Sequence, residues 1–169
     1  MLCPFCGAIN IEGADECEAC GQALVLEPIP TNSVEEALIT ATILDIGSRE
    51  PITASATTSV DEVQQLLVEN SVGCVVIVDG GGCPIGIFSE RDAIMKFNGD
   101  IDAYLNQPVS EVMSANPQVV RYESKVARAI HLMDLGHYRH LPVVDHEGVL
   151  VGIISVRDIL KYLTEKIVA

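Results

Sequence analysis

The chain is written twice. Gly86-Ile87-Phe88-Ser89-Glu90-Arg91-Asp92 returns as Gly152-Ile153-Ile154-Ser155-Val156-Arg157-Asp158, 66 residues later. The register extends beyond those seven positions: Pro51 maps onto Pro117, Val60 onto Val126, Leu66 onto Leu132, and Val78-Asp79 onto Val144-Asp145. Two copies of one unit therefore fill the chain from about residue 42 to its end. A duplication of this kind brings equivalent surfaces together about a pseudo-twofold axis, and a cleft between two such units suits a ligand.

Each copy reads strand, helix, strand, strand, helix. In copy one a short strand covers residues 52–55, and Ser59 caps a helix from Val60 to Glu69 with Val63, Leu66 and Leu67 inward. Cys74-Val75-Val76-Ile77-Val78 is a continuous apolar run, as a strand covered on both faces requires. Asp79-Gly80-Gly81-Gly82 is the turn, a strand follows at 84–88, and a helix runs over 90–97 after Ser89. Copy two repeats the order: strand 119–121, helix 126–135, strand 141–144, turn Asp145-His146-Glu147-Gly148, strand 150–154 and helix 157–166. Residues 108–114 join the copies, and a degenerate version, Thr42 to Ser48, precedes the first. The expected fold class is α/β (α+β), two β-α-β-β-α repeats packed as a pseudo-twofold pair. Hydrophobic residues make up 49% of the chain but aromatics only 4%, so the core is built from Val, Ile and Leu.

Ahead of the repeats lie two knuckles, Cys3-Pro4-Phe5-Cys6-Gly7 and Cys17-Glu18-Ala19-Cys20-Gly21. Two thiolates two residues apart grip one ion, and the following Gly lets the backbone turn so that N–H groups point at sulfur. Iron fits four thiolates as well as zinc does. Two disulfides would need an oxidising compartment, and a redox pair would need a βαβ context; neither is signalled. Four protein ligands leave no open position, so the ion is expected to be structural. The pattern resembles a short zinc ribbon over residues 1–24. Cys74 and Cys83 stand apart and are read as ordinary thiols.

Residues 25–48 read as a linker and an amphipathic helix. Leu26-Glu27-Pro28-Ile29-Pro30 is extended. Ser33 and Glu36 form a capping box for a helix over residues 34–46, which should pack on the repeats and tether the ribbon. Copy one then occupies 49–107 and copy two 108–169.

The net charge is -14, and the first basic residue is Arg49. Such a chain repels a phosphate backbone, so nucleic acid is not an expected partner. No apolar run is long enough to cross a bilayer and no signal peptide is evident, so a cytoplasmic location without membrane attachment is expected.

The doubled Gly-x-x-Ser-x-x-Asp, the joining segment "VSEVMSANP", the strand entry "YRHLPVVD" and the terminal "GIISVRDIL" together resemble a tandem pair of CBS domains, the Bateman module. The resemblance covers about residues 42–166. It implies adenosyl ligands in two clefts, each lined by both copies. An adenosine needs a flat apolar slot, an acceptor for the ribose diol, and donors for phosphate. Asp92 and Asp158, in the first turns of their helices, are the diol acceptors; Ser89 and Ser155, at the N-caps, face phosphate. The Asp158 cleft would use Ser155, Ile153, Arg139 and His140, with Ile52, Val72 and Gly73 from the other copy. The Asp92 cleft would use Ser89 and Ile87, with Gln118, Tyr138 and Arg139 opposite. Arg91, Arg121 and Arg157 are further candidates for phosphate. His131, His137 and His146 are read as surface groups.

The copies differ where phosphate should lie. Arg139-His140 in copy two corresponds to Gly73-Cys74 in copy one, which makes Asp158 the better phosphate site. The leading reading is a non-enzymatic sensor of AMP, ADP, ATP or a related adenosyl ligand. It would form a homodimer, as the family resemblance implies, with zinc in the ribbon and a protein partner still to be named. The alternative is a ribbon adaptor whose repeats serve only as a dimerisation scaffold. An enzyme is disfavoured, because there is no P-loop lysine, no nucleophile–His–acid set and no open metal site.

Overall fold

The computed structural model describes residues 1–3, 5–11, 14–22, 24, 33–96 and 102–168. The Leu26–Pro30 connector, the Ser33 side chain and Phe97 lie outside the described residues.

Copy one follows its sequence closely. Strand β1 (Thr53–Ser55) leads through helix α3 (Val60–Glu69) to β2 (Cys74–Val78), then β3 (Pro84–Ser89) and α4 (Glu90–Met95). β1 pairs with β2 in parallel, with α3 as the crossover that this requires. β2 and β3 form an antiparallel hairpin, and β4 (Ser114–Ala115) completes the order β1-β2-β3-β4. The hairpin turn is fixed by Asp79, whose Oδ1 accepts from Gly81 N and Cys83 N, both at 2.9 Å. Asp145 repeats the device in copy two, accepting from Glu147 N and Val149 N at 2.9 Å. Gly82 and Gly148 close these turns at φ +82° and +88°, where a side chain is strained.

Copy two contributes β5 (Val120–Arg121), α5 (Val126–Gly136), β6 (His140–Val144), β7 (Leu150–Ser155) and α6 (Val156–Val168). Its sheet has the order β5-β6-β7.

The expected entry helix over 34–46 is instead broken into α1 (Ser33–Thr40) and α2 (Ile43–Ile46). Thr42 stands extended between them and bridges to Lys125. The apolar period runs through the break, but local bonding overrides it. Thr42 N and Oγ1 both donate to Asp45 Oδ2 at 2.7 Å, starting a new helix. The Lys125 ammonium donates to the Thr40 carbonyl at 2.7 Å, ending the old one.

The chain forms two compact units, Met1–Ser48 with Val120–Leu141 and Ile154–Ala169, and Arg49–Val119 with Pro142–Ile153. In the first, α1 packs on α5 and α6. Ile43 N and Leu44 N donate to the carbonyls of Ser124 and Tyr122 at 2.9 and 3.0 Å, and Ile43 is fully buried. In the second, Val109 N and Ser110 N donate to Thr58 and Ala56 at 2.8 and 3.2 Å. Val109 and Val112 then join Val60, Val63, Leu67, Val75, Ile77 and Phe88 in one core. Those pairs are 66 residues apart throughout, so the segment before each copy docks on the other copy in the same way.

Candidate functional site

Each signature strand runs directly into its helix, β3 into α4 and β7 into α6. Ser89 is the extended N-cap of α4. Its N–H and hydroxyl donate to Asp92 Oδ2 at 2.9 and 2.6 Å, and its Oγ accepts from Asp92 N at 3.3 Å. Ser155 and Asp158 repeat this box at 2.7, 2.6 and 3.4 Å. Each box satisfies N–H groups that a helix start would leave bare, which fixes the aspartate beside the serine.

The residue facing each helix start is also fixed. Glu90 N donates to the Gly73 carbonyl at 3.2 Å, and Val156 N to the Arg139 carbonyl at 3.1 Å. The copies thus hold a glycine at the head of α4 and an arginine at the head of α6, followed by half-buried His140 at the start of β6. Positive charge and a helix N-terminus both attract anions, so the two heads are not equivalent.

Asp92 carries a further bond set that sequence reading missed. Its Oδ1 is 2.8 Å from the Lys96 ammonium and accepts from Ser114 Oγ at 3.2 Å. Lys96 Nζ also donates to the Val112 carbonyl at 2.6 Å. Burial works to raise the Asp92 pKa, but the Lys96 and Ser89 donors outweigh it and hold the carboxyl below its ordinary value. The signal was present: an acid four residues before a lysine on one helix face.

Other expected residues fall on either side of these strands. Arg49 and Ile153 exchange two backbone hydrogen bonds at 3.0 Å, which sets the segment leading to half-buried Ile52 beside β7. A similar pairing in copy one, one residue out of that register, joins Ile87 with Ser114 and Gly86 with Ala115 and sets the segment leading to exposed Gln118 beside β3. Val72 and Gly73 are half-buried just before β2, while Arg91, Arg121 and Arg157 are exposed. Tyr138 lines an apolar groove of about 330 Å³ with Ile130, Ile159 and Leu160. Unlike the surface group expected, His131 is half-buried on α5, with its ring edge-on to Phe5 at 6.3 Å.

The signature glycine has a packing reason of its own. A Cβ on Gly86 would collide with the Met113 thioether. Gly86→Val is therefore expected to cost about 1–3 kcal/mol through overpacking, read as a lower denaturation midpoint with an unchanged m-value.

The four N-terminal cysteines converge. Their sulfurs all lie within 4.8 Å of one another, with Cys3–Cys20 at 3.7 Å and Cys6–Cys17 at 3.5 Å. They are free thiols. A tetrahedron with metal–sulfur bonds of about 2.3 Å has edges of about 3.8 Å, so the cluster fits one ion. Gly7 N and Gly21 N donate to the carbonyls of Cys3 and Cys17 at 2.9 and 2.7 Å, closing both knuckles at φ +73° and +68°. The four thiols divide: at Cys17, N–H donors from Ala19, Asn10 and Cys20 overcome burial and bring the thiol down to about 6, whereas burial pushes Cys6 up and Cys20 up to about 12. The first knuckle lies on α5, where Gly7 abuts the Arg128 guanidinium.

The CBS domain family model matches residues 43–99 and 109–165. The chain is a CBS-domain protein. The two matched CBS domains begin at the docking segments Ile43 and Val109, the same 66 residues apart. An uncharacterized protein of Methanopyrus kandleri is 33% identical over 69% of this chain, which spans 60% of that relative's length. Among solved structures, the Arabidopsis thaliana CBS-pair protein CBSX2 in complex with AMP is 26% identical, with TM-score 0.63 over 73% of this chain and 96% of that one. The CBS domain pair of protein MJ0100 in complex with 5'-methylthioadenosine and S-adenosyl-L-methionine is 26% identical, with TM-score 0.65 over 75% and 98%. No helix among the described residues is long and apolar enough to cross a membrane.

Proposed function

We propose that this chain is a non-enzymatic sensor that takes an adenosyl ligand at Asp158 and passes the signal through a zinc-loaded ribbon. One observation carries the reading. The Val156 N–H holds the Arg139 carbonyl, and so the Arg139-His140 pair, at the head of the helix that bears Asp158. Asp158 accepts the ribose diol, buried Ser155 holds that carboxylate in place through the cap, and Arg139 and His140 at the head of the helix supply positive charge for the phosphate or its replacement. The relatives solved with AMP, and with methylthioadenosine and S-adenosylmethionine, support an adenosyl group as the shared element.

Zinc is the ion that suits the ribbon: the four thiolates leave it no open position, so its role is to fold residues 1–24. Packing of Phe5 and Gly7 on α5 gives the ribbon a direct route to copy two. A homodimer, a cytoplasmic setting and a protein partner reached through the ribbon belong to the same reading.

A thermal-shift panel tests it. A ligand at about a hundred times its Kd stabilises by about 2.7 kcal/mol, which raises Tm by about 5–10 °C in a chain of this size. AMP, ATP or S-adenosylmethionine should produce that shift, and guanosine monophosphate should not. No shift with any adenosyl compound at millimolar concentration leaves the scaffold reading in its place.

A further inference from the structure

The two knuckles share a backbone but not a neighbour. Gly7 and Gly21 turn at φ +73° and +68°, and their N–H groups donate to the carbonyls of Cys3 and Cys17. Around Gly21, no described residue beyond its chain neighbours comes within 4 Å of the position a Cβ would take. Around Gly7 the Arg128 guanidinium fills that position, with Cζ and Nη2 at 3.3 and 3.7 Å from it and Nη1 nearer still. Arg128 is half-buried on α5 and reaches the residue that directly follows Cys6. The ribbon has no such cation of its own: residues 1–24 hold Glu12, Asp15, Glu16 and Glu18 and neither Lys nor Arg. Four thiolates on a divalent ion add a net charge of about -2.

We infer that Arg128 is the counter-ion of the metal centre, a copy-two arginine that balances the tetrathiolate charge and couples metal loading to the seating of the first knuckle on α5. This rests on the zinc reading above. Arg128 is a positioning residue and not a ligand, because a guanidinium has no acceptor to offer and keeps its charge throughout the working pH range. Metal binding displaces the thiol protons, so the negative charge that attracts Arg128 arrives with the ion. Coupling of this kind is reciprocal: an ion that draws Arg128 onto the knuckle is itself bound more tightly when Arg128 is there. Glycine and arginine are matched, since a side chain on Gly7 would push the guanidinium off the knuckle. The Phe5–His131 contact seats the same knuckle one turn further along α5.

Competition with a chromogenic chelator measures the zinc affinity of the full chain directly. Arg128→Met keeps an apolar stem and loses the charge; it should weaken zinc binding by about 10–100-fold. Arg128→Lys, which keeps the charge, should stay within a few-fold of wild type. Raising the salt from about 0.05 to about 0.5 M should weaken zinc binding more in the wild type than in Arg128→Met, because only the wild type has the attraction to screen. Gly7→Ala should lose more zinc affinity than Gly21→Ala, which shares the backbone strain but displaces no neighbour. A loss as large in Arg128→Lys as in Arg128→Met, or equal salt dependence in wild type and Arg128→Met, marks a packing role and overturns the inference while the zinc ribbon stands. Unchanged affinity in Arg128→Met, or equal losses at the two glycines, overturns it in the same way. A wild-type chain that binds no zinc overturns both.

Discussion

Asp158→Ala is expected to weaken adenosyl binding by roughly a hundredfold, and Asp92→Ala to leave it within a few-fold of wild type. The size follows from the chemistry of the diol. Two hydroxyls donating to one carboxylate form charge-assisted bonds, and losing them together costs about 3 kcal/mol. The asymmetry follows from the neighbours. Asp92 is held by Lys96 and Ser114, whereas the helix of Asp158 starts against Arg139. Both substitutions also remove a capping partner, at a cost of about 1 kcal/mol to the fold. Affinity and stability are therefore read separately, by calorimetry and by denaturant unfolding. Asp158→Asn keeps an acceptor for the cap while removing the charge, and should still bind weakly. Equal losses at the two aspartates contradict the ranking.

The second large effect concerns the ribbon. Purified protein should contain about one zinc per chain, and Cys17→Ser should contain none. Zinc-finger peptides gain about 10–16 kcal/mol from their ion, so residues 1–24 should lose their structure without it. The unit built on Arg49–Val119 should survive, because its core of Val60, Val75, Ile77, Phe88 and Val109 draws on no ribbon residue. Metal analysis paired with limited proteolysis reads both parts. Cleavage should appear within the first 24 residues of Cys17→Ser and of chelator-treated wild type. Loss of the ribbon also uncovers the face of α5 that Phe5 and Gly7 occupy beside His131 and Arg128. Protein purified without metal, with four titratable thiols and an unchanged cleavage pattern, contradicts the assignment.

Much of the fold was legible in the sequence. Helix α3 and strand β2 occupy the expected residues, since each is announced by strong local chemistry: a capping box at Ser59 and Glu62, and an unbroken apolar run from Cys74. The entry helix was not, because an apolar stripe from Val34 to Ile46 says nothing of Lys125, 85 residues from Thr40, whose ammonium takes the last carbonyl of α1. The docking of each copy's leading segment on the other copy depends on the same kind of long-range bond. In the candidate site, Ser and Asp were visible at their fixed spacing of three. The lock on Asp92 was half visible: Lys96 lies one turn away, but Ser114 and Val112 arrive from the segment joining the copies. The reason for Gly86 was hidden for the same cause, since Met113 comes from that segment too.

The most direct test of the central claim is a crystal structure of the chain grown with AMP. It should show one adenosine with both ribose hydroxyls within hydrogen-bond distance of the Asp158 carboxylate, the phosphate near Arg139 and His140, and Lys96 still on Asp92. AMP seated on Asp92 with Lys96 displaced, or density for it at neither aspartate, would contradict the account.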